Sequence, residues 1–287
     1  MIVTITGAIK NAGDYLIGHR GRALLRKFVD PDVVDFNRFT MSEADLGRMH
    51  KARAVILCGG PAYKANAFPA VYPDWLRQVE TKIIPMGVGW CGIPIGQPEN
   101  FHFDSNTSDV LQKIHNAIPF SGTRDDDTHE ILERSGFNNL MTGCPAWYDL
   151  ETLESDFLYK PDLKRVVVTT PAKVTPESFK LLRYVARRFP KAEKICSFHR
   201  GIFPDKYTSF RISARYSLLA AYAASLGYKV VDLSYDLAKM DIYNECDLHV
   251  GYRVHAHIYF LARRLPTFLI MKTGAVKVRR RRWALFH

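Results

Sequence analysis

Late in the 287-residue chain, Gly251-Tyr252-Arg253-Val254-His255-Ala256-His257 sets an arginine two positions before a histidine, between one apolar segment and the apolar run of a helix. An arginine is a rigid, multidentate fork for a carboxylate or phosphate, and a histidine titrates near neutrality, so the pair has the chemistry to hold an anion and transfer a proton. In an extended segment, positions two apart face the same side. Two other basic groups stand at comparable strand exits: Lys173 after RVVVTTPA, and His199-Arg200 after KICSF. Zinc is the rival reading of His255 and His257 with His249. No cysteine or acid stands at a recognised spacing, so no metal is expected. The plainest alternative is that two of these histidines are helix-start or core residues.

Nearer the start, Asn11, Gly13 and Asp14 follow the apolar run IVTITG and open a helical pattern. A glycine there permits close approach of the backbone, and a helix start offers free N–H groups to an anion. The spacing does not fit a dinucleotide fingerprint or a P-loop. Two readings of Asp14 stand open, a helix cap and an acceptor of a substrate hydroxyl proton. The glycine-rich CGGP at 58–61 and GVGWCG at 87–92 end apolar runs, either as tight strand exits or as part of a ligand crevice. Arg124 precedes Asp125, Asp126 and Asp127, acids that suit a helix N-terminus. The arginine itself either binds an anion or locks its loop to a carboxylate.

These positions need elements to hold them. Continuous apolar runs alternate with helical patterns along the whole chain, which indicates parallel sheets covered on both faces, an α/β fold. The acid-rich stretch DLETLESDFLYKPDL interrupts the pattern, after which it restarts. The expected organisation is a first domain over 1–150, a linker over 151–163 and a second domain over 164–287, with strand ends facing a cleft.

Composition narrows the classes. With 47% apolar and 24% charged residues the chain is neither disordered nor a small disulfide-stapled module. Its five cysteines are odd in number and dispersed, which argues against a disulfide framework. No leader and no membrane span is read, and cytoplasmic residence is expected. The formal charge is +11, but Lys272, Lys277, Arg279, Arg280, Arg281 and Arg282 crowd the last 17 residues, leaving 34 basic against 29 acidic residues in the body. Three readings of this tail are a solvated end, contact with an anionic membrane, and a nucleic-acid contact that nothing in the body supports.

Taken in order, NAGDYLIG, the CGG and GVG turns, TRD before a helix, TGCPA and GYRVHAHIYFLARRLPTFLI resemble the polysaccharide pyruvyl transferase family, over about Thr6 to Ile270. The resemblance implies two Rossmann-like domains in a GT-B-like arrangement around a central cleft, the first on the acceptor side and the second on the donor side. It implies transfer of a pyruvyl group from phosphoenolpyruvate to sugar hydroxyls of a glycan or lipid-linked sugar, with no resident cofactor. Arg253 then binds the donor's carboxylate or phosphate, His255 protonates its methylene carbon and Asp14 accepts the hydroxyl proton. Asn11, Gly13, Arg124, Lys173, His199 and Arg200 are read as substrate-binding positions, with Trp90 and Tyr252 as apolar faces for a sugar. Related glycan-modifying or glycosyl transfer from another donor is the alternative. Members usually continue past P-x-x-x-I into further helices, so an altered or shortened C-terminus is expected, and with it the alternative of a non-catalytic relative.

Overall fold

The computed structural model describes residues 1–92, 97–157 and 162–270. The arginine-rich tail, with the membrane and nucleic-acid readings attached to it, lies outside the described residues. The chain divides into two compact units.

The first unit comprises Met1–Gly7 and Ile17–Tyr148. Strand β1 (Ile2–Thr6) leads through helix α1 (Ala12–Phe28) to β2 (Val33–Asn37), and α2 (Leu46–His50) leads on to β3 (Val55–Cys58). Next come β4 (Pro61–Tyr63), the short turn α3 (Ala67–Ala70), β5 (Ile83–Met86), β6 (Gly89–Trp90), α4 (Ser105–Asn116), β7 (Ser121–Thr123), α5 (Asp126–Arg134) and β8 (Asn139–Met141). The main parallel sheet runs β2-β1-β3-β5, while β4 pairs with β6 and β7 with β8. Alternation along the strands fills both faces. Val3, Ile5, Val55 and Leu57 enter one core, and Ile2, Val33 and Ile56 pack with Leu25 of α1 on the other.

The second unit takes Ala8–Leu16 and the described residues from Asp149 to Ile270. Its elements are β9 (Arg165–Thr169), α6 (Pro176–Arg188), β10 (Glu193–Phe198), α7 (Phe210–Ser225), β11 (Tyr228–Asp232), β12 (Leu248–Gly251), α8 (Val254–Ala262) and β13 (Thr267–Leu269). The five strands are parallel in the order β11-β10-β9-β12-β13. The order reverses between β9 and β12, and an open α/β sheet leaves its ligand crevice beyond the carboxyl ends of the strands at such a reversal. Arg253, Lys173, His199 and Arg200 all follow the carboxyl ends of β12, β9 or β10.

The units differ from the expected domains in two places. Residues 8–16 belong with the second unit: the Ala12 amide donates to the His199 carbonyl at 3.1 Å and the Tyr235 amide to the Lys10 carbonyl at 3.1 Å. The expected linker is also bound to that unit. Asp149 pairs with Arg263 at 3.3 Å, Thr152 Oγ1 donates to the Ala262 carbonyl at 2.7 Å, and Arg264 donates to the carbonyls of Leu153 and Ser155. Among the described residues no helix is long and apolar enough to cross a membrane.

The register that pairs Gly251 with Thr169 leaves no room for a side chain. A Cβ on Gly251 would stand 2.3 Å from Thr169 Oγ1 and 2.6 Å from its carbonyl oxygen. Gly251→Ala is therefore expected to destabilise the second unit by ~3 kcal/mol in urea unfolding. Gly47→Ala in α2, where nothing lies within 4 Å of the added Cβ, should be neutral or stabilise by up to ~1 kcal/mol.

Candidate functional site

One buried hydroxyl organises the strand ends. Thr169 Oγ1 accepts the amides of Tyr252 at 3.1 Å and Arg253 at 3.2 Å, and lies 2.9 Å from His249 Nε2. With two N–H groups on its lone pairs, the hydroxyl donates its own proton to His249 Nε2, which fixes that tautomer. His249 Nδ1–H then donates to Thr267 Oγ1 at 2.6 Å, and the Thr267 hydroxyl donates to His257 Nδ1 at 2.9 Å. Burial pulls His249 down to about 3, and it lowers His257 as well. Of the three histidines in the zinc reading, His249 and His257 are thus neutral, hydrogen-bonded parts of the second unit. Among the described residues no three His, Cys, Asp or Glu side chains gather as a metal site.

Arg253 is the N-cap of α8, with extended backbone, and His255 sits in the helix's first turn. Strand-like alternation therefore does not bring them together, because the helix begins between them. Arg253 Nε donates to the Thr170 carbonyl at 2.8 Å and Nη2 to the Pro171 carbonyl at 3.1 Å. The plane of the guanidinium is held by the loop that follows β9. Burial lowers its pKa; the neighbouring Tyr216 hydroxyl opposes this and the Arg200 guanidinium adds to it. Among the described residues neither Arg253 nor Arg200 pairs with a carboxylate. Two guanidinium groups in mutual range without a carboxylate partner make a local positive potential suited to an anion.

The NAGD loop reaches the same strand ends. Asn11, not Asp14, caps α1: its carbonyl accepts the Asp14 amide at 3.0 Å and its side-chain oxygen the Gly13 amide at 3.4 Å. Asp14 is half-buried in the first turn. A Cβ on Gly13 would lie 2.4 Å from His255 Nδ1, so only glycine lets this backbone come up against the imidazole. The loop is fastened by Lys10, a residue that reading the sequence does not select. Its Nζ pairs with Asp205 at 2.5 Å and reaches Thr208 Oγ1 at 2.6 Å, and Tyr235 donates to Asp205 at 2.7 Å. Desolvation pushes Asp205 up, but the hydrogen bonds from Lys10, Tyr235 and the Tyr207 amide outweigh it and leave the carboxyl below the usual range. The only local signal was a lysine just before the Asn-Ala-Gly turn; its acid lies 195 residues away.

The remaining expected positions fall differently. His199 is 1% exposed, with Nε2 2.8 Å from the Tyr243 hydroxyl, which bonds in turn to Ser197. Burial, then the Arg253 guanidinium and the neighbouring His255 and His249 rings, hold it well below its ordinary value, so it is a neutral wall residue and does not line an open surface. Arg200 and Lys173 are exposed. Tyr252 is half-buried, and burial followed by Glu177 raises its pKa. In the first unit Arg124 is used by its own loop: Nε bonds to Asp125 at 3.0 Å and Nη2 to the Trp90 carbonyl at 3.0 Å. Trp90 is 6% exposed and packs edge-on to Phe101, so its ring fills a core and offers no face to a sugar. Asp125 caps α5 by accepting the Thr128 amide.

The family model for polysaccharide pyruvyl transferase matches residues 11–271. No curated protein matches the chain. Among solved structures, S. aureus MnaA, determined with UDP, is similar with a TM-score of 0.51 and 10% identity, over 94% of this chain and 79% of that one. Anabaena HepE with UDP and glucose gives 0.43 and 12%, over 93% and 79%. UDP-GlcNAc 2-epimerase from Neisseria meningitidis bound to UDP-GlcNAc gives 0.45 and 10%, over 88% and 77%. The MnaA likeness bears on the fold alone, and that fold is GT-B-like, built from two Rossmann-like α/β units.

Neutral buried histidines make the second unit acid-sensitive. A histidine depressed to about 3 in the fold but near 6.5 when unfolded leaves the unfolded chain holding more protons between those values. Stability is full above pH 6.5 and falls as the pH drops toward 3, by at most ~1.4 kcal/mol per pH unit for each such histidine. Urea midpoints measured from pH 7.5 downward should show this decline, and His249→Gln should flatten it by about one proton's worth.

Proposed function

The chain belongs to the polysaccharide pyruvyl transferase family, and on that premise we propose that it moves a pyruvyl group from phosphoenolpyruvate to two hydroxyls of a glycan or lipid-linked sugar, forming a cyclic ketal and releasing phosphate. The observation that carries this reading is the gathering of groups at the β9/β12 reversal. Among the described residues Arg253 and Arg200 have no carboxylate partner, His255 opens α8, and the Gly13 backbone abuts the His255 ring.

The donor bears a carboxylate and a phosphate, so it needs cations and helix-start N–H groups together. In this reading Arg253, its plane fixed by the Thr170 and Pro171 carbonyls, takes the carboxylate or the phosphate on its remaining N–H groups. Arg200, Lys173 and the opening amides of α8 complete the anion site. His255 gives a proton to the methylene carbon, which makes C2 electrophilic. One sugar hydroxyl adds to C2 and loses its proton to Asp14. Phosphate departs, and the second hydroxyl closes the ketal. Of the two hydroxyl protons, one restores His255 and the other leaves with phosphate. The reaction involves proton transfer, addition and elimination, and calls for no redox cofactor.

Titration calorimetry with phosphoenolpyruvate tests the donor site. Arg253→Ala should weaken binding by at least about tenfold, the loss of a charge-assisted hydrogen bond. His255→Asn should keep donor binding and lower turnover by roughly 10²–10⁴. Unchanged affinity in Arg253→Ala overturns the assignment, and equal affinity for sulfate or UDP reduces the site to a general anion pocket.

A further inference from the structure

The basic character of the described chain is concentrated. Residues 173–215 contain eleven Lys and Arg against three Asp and Glu, and α7 contains no acid at all. Helices α6 and α7 follow β9 and β10 in one progression across the sheet and lie on the same face of it. Leu182 and Val185 of α6 and Tyr216, Leu219 and Ala223 of α7 pack inward. Outward, α6 shows Lys180, Arg183 and Arg187 around Tyr184, which is 65% exposed. The outward row of α7 is Arg211, Arg215 and Leu218 at helical spacing, with Leu218 63% and Phe210 79% exposed.

A groove of about 500 Å³ runs between the two helices, lined by Phe179, Lys180 and Arg183 on one side, Arg215 and Leu218 on the other, and Val174 to Pro176 at its mouth. Among the described residues none of the five outward cations pairs with a carboxylate; Arg183 donates instead to the Tyr222 hydroxyl at 2.9 Å. Large apolar side chains held in water among unpaired cations fit a surface that is anionic at its rim and apolar just beneath. A nucleic-acid duplex would use the cations through its phosphates and leave Leu218, Tyr184 and Phe210 in water. A second copy of the same face would meet its own charge.

We propose that the outer face of α6 and α7 docks the second unit on an anionic phospholipid surface. Lipid phosphates sit on Lys180, Arg183 and Arg215 in the groove, and Phe210, Tyr184 and Leu218 enter the boundary below them. The loop that receives Arg253 at Thr170 and Pro171 runs on to Val174, which lines the groove. The proposal does not depend on which donor that site takes.

Co-sedimentation of the full chain with phosphatidylglycerol-rich and with pure phosphatidylcholine vesicles tests it. Binding should require phosphatidylglycerol and fall with salt. At ~1 kcal/mol per basic residue near the surface, the double variant Lys180→Gln, Arg215→Gln should lose about thirtyfold in partitioning. Leu218→Ser with Tyr184→Ser should lose several-fold without any change of charge. Unfolding midpoints equal to the parent's show that the variants are folded. Four results overturn the proposal: no preference for phosphatidylglycerol; parent-like binding by the glutamine variant; binding abolished only by deleting 272–287; or parent-like vesicle binding by the serine variant together with equally tight binding of a single-stranded oligonucleotide.

Discussion

The Thr169 hydroxyl is the contact on which the second unit's working edge depends. It is fully buried, and its three hydrogen bonds use its full capacity: two amides received, one proton given to His249. Those two amides belong to Tyr252 and Arg253, so the hydroxyl sets where β12 stops and where α8 starts. The same approach excludes a side chain at Gly251. Arg253 then returns two donors to the loop just past Thr169. Strand exit, helix start and guanidinium plane are thus parts of one closed hydrogen-bonded circuit, which is the kind of preorganisation a site for a doubly charged ligand needs.

A second constraint acts from far away in sequence. Lys10, 7% exposed, is neutralised by Asp205 and holds residues 8–16 on the second unit. A partly buried cation without its carboxylate is costly, so the pair acts as a register lock: where Lys10 is fixed, Asn11 to Asp14 must follow. Helix α1 consequently starts in one unit and continues in the other. The NAGD motif contributes to the β9/β12 edge although it lies more than 230 residues before Arg253 in the chain.

What could be read in the sequence follows from what is local. RVVVTT, KICSF and AVILCGG are strands because their apolar runs are continuous, and Asp125 and Pro176 mark helix starts by their own chemistry. The Arg-x-His pair is also local, although a helix N-cap and not a strand positions it. Burial is not local. Trp90 and His199 stand beside glycines or at a strand exit, which suggests exposure, yet Phe101 and Ile131 enclose the one and Tyr243 the other, partners 11 to 44 residues along the chain. The Lys10–Asp205 pair and the incorporation of 149–157 into the second unit depend on side chains more than 100 residues away. No window of sequence contains them.

The charge arrangement at the β9/β12 edge separates two roles that a list of basic residues would merge. His199, His249 and His257 are lowered by burial and carry no charge near neutrality, so they shape the edge without adding to its field. Arg253 and Arg200 keep theirs and repel one another. Repulsion between like charges at a strand-end crevice is a cost to the free protein that an anion relieves on binding, and binding energy of that kind is available to orient the ligand. His255 lies against the Gly13 backbone, and it and Arg253 both act on the buried His199. In the reaction proposed above, an anion drawn in by the guanidinium groups would find its proton donor where the imidazole meets the first turn of α1.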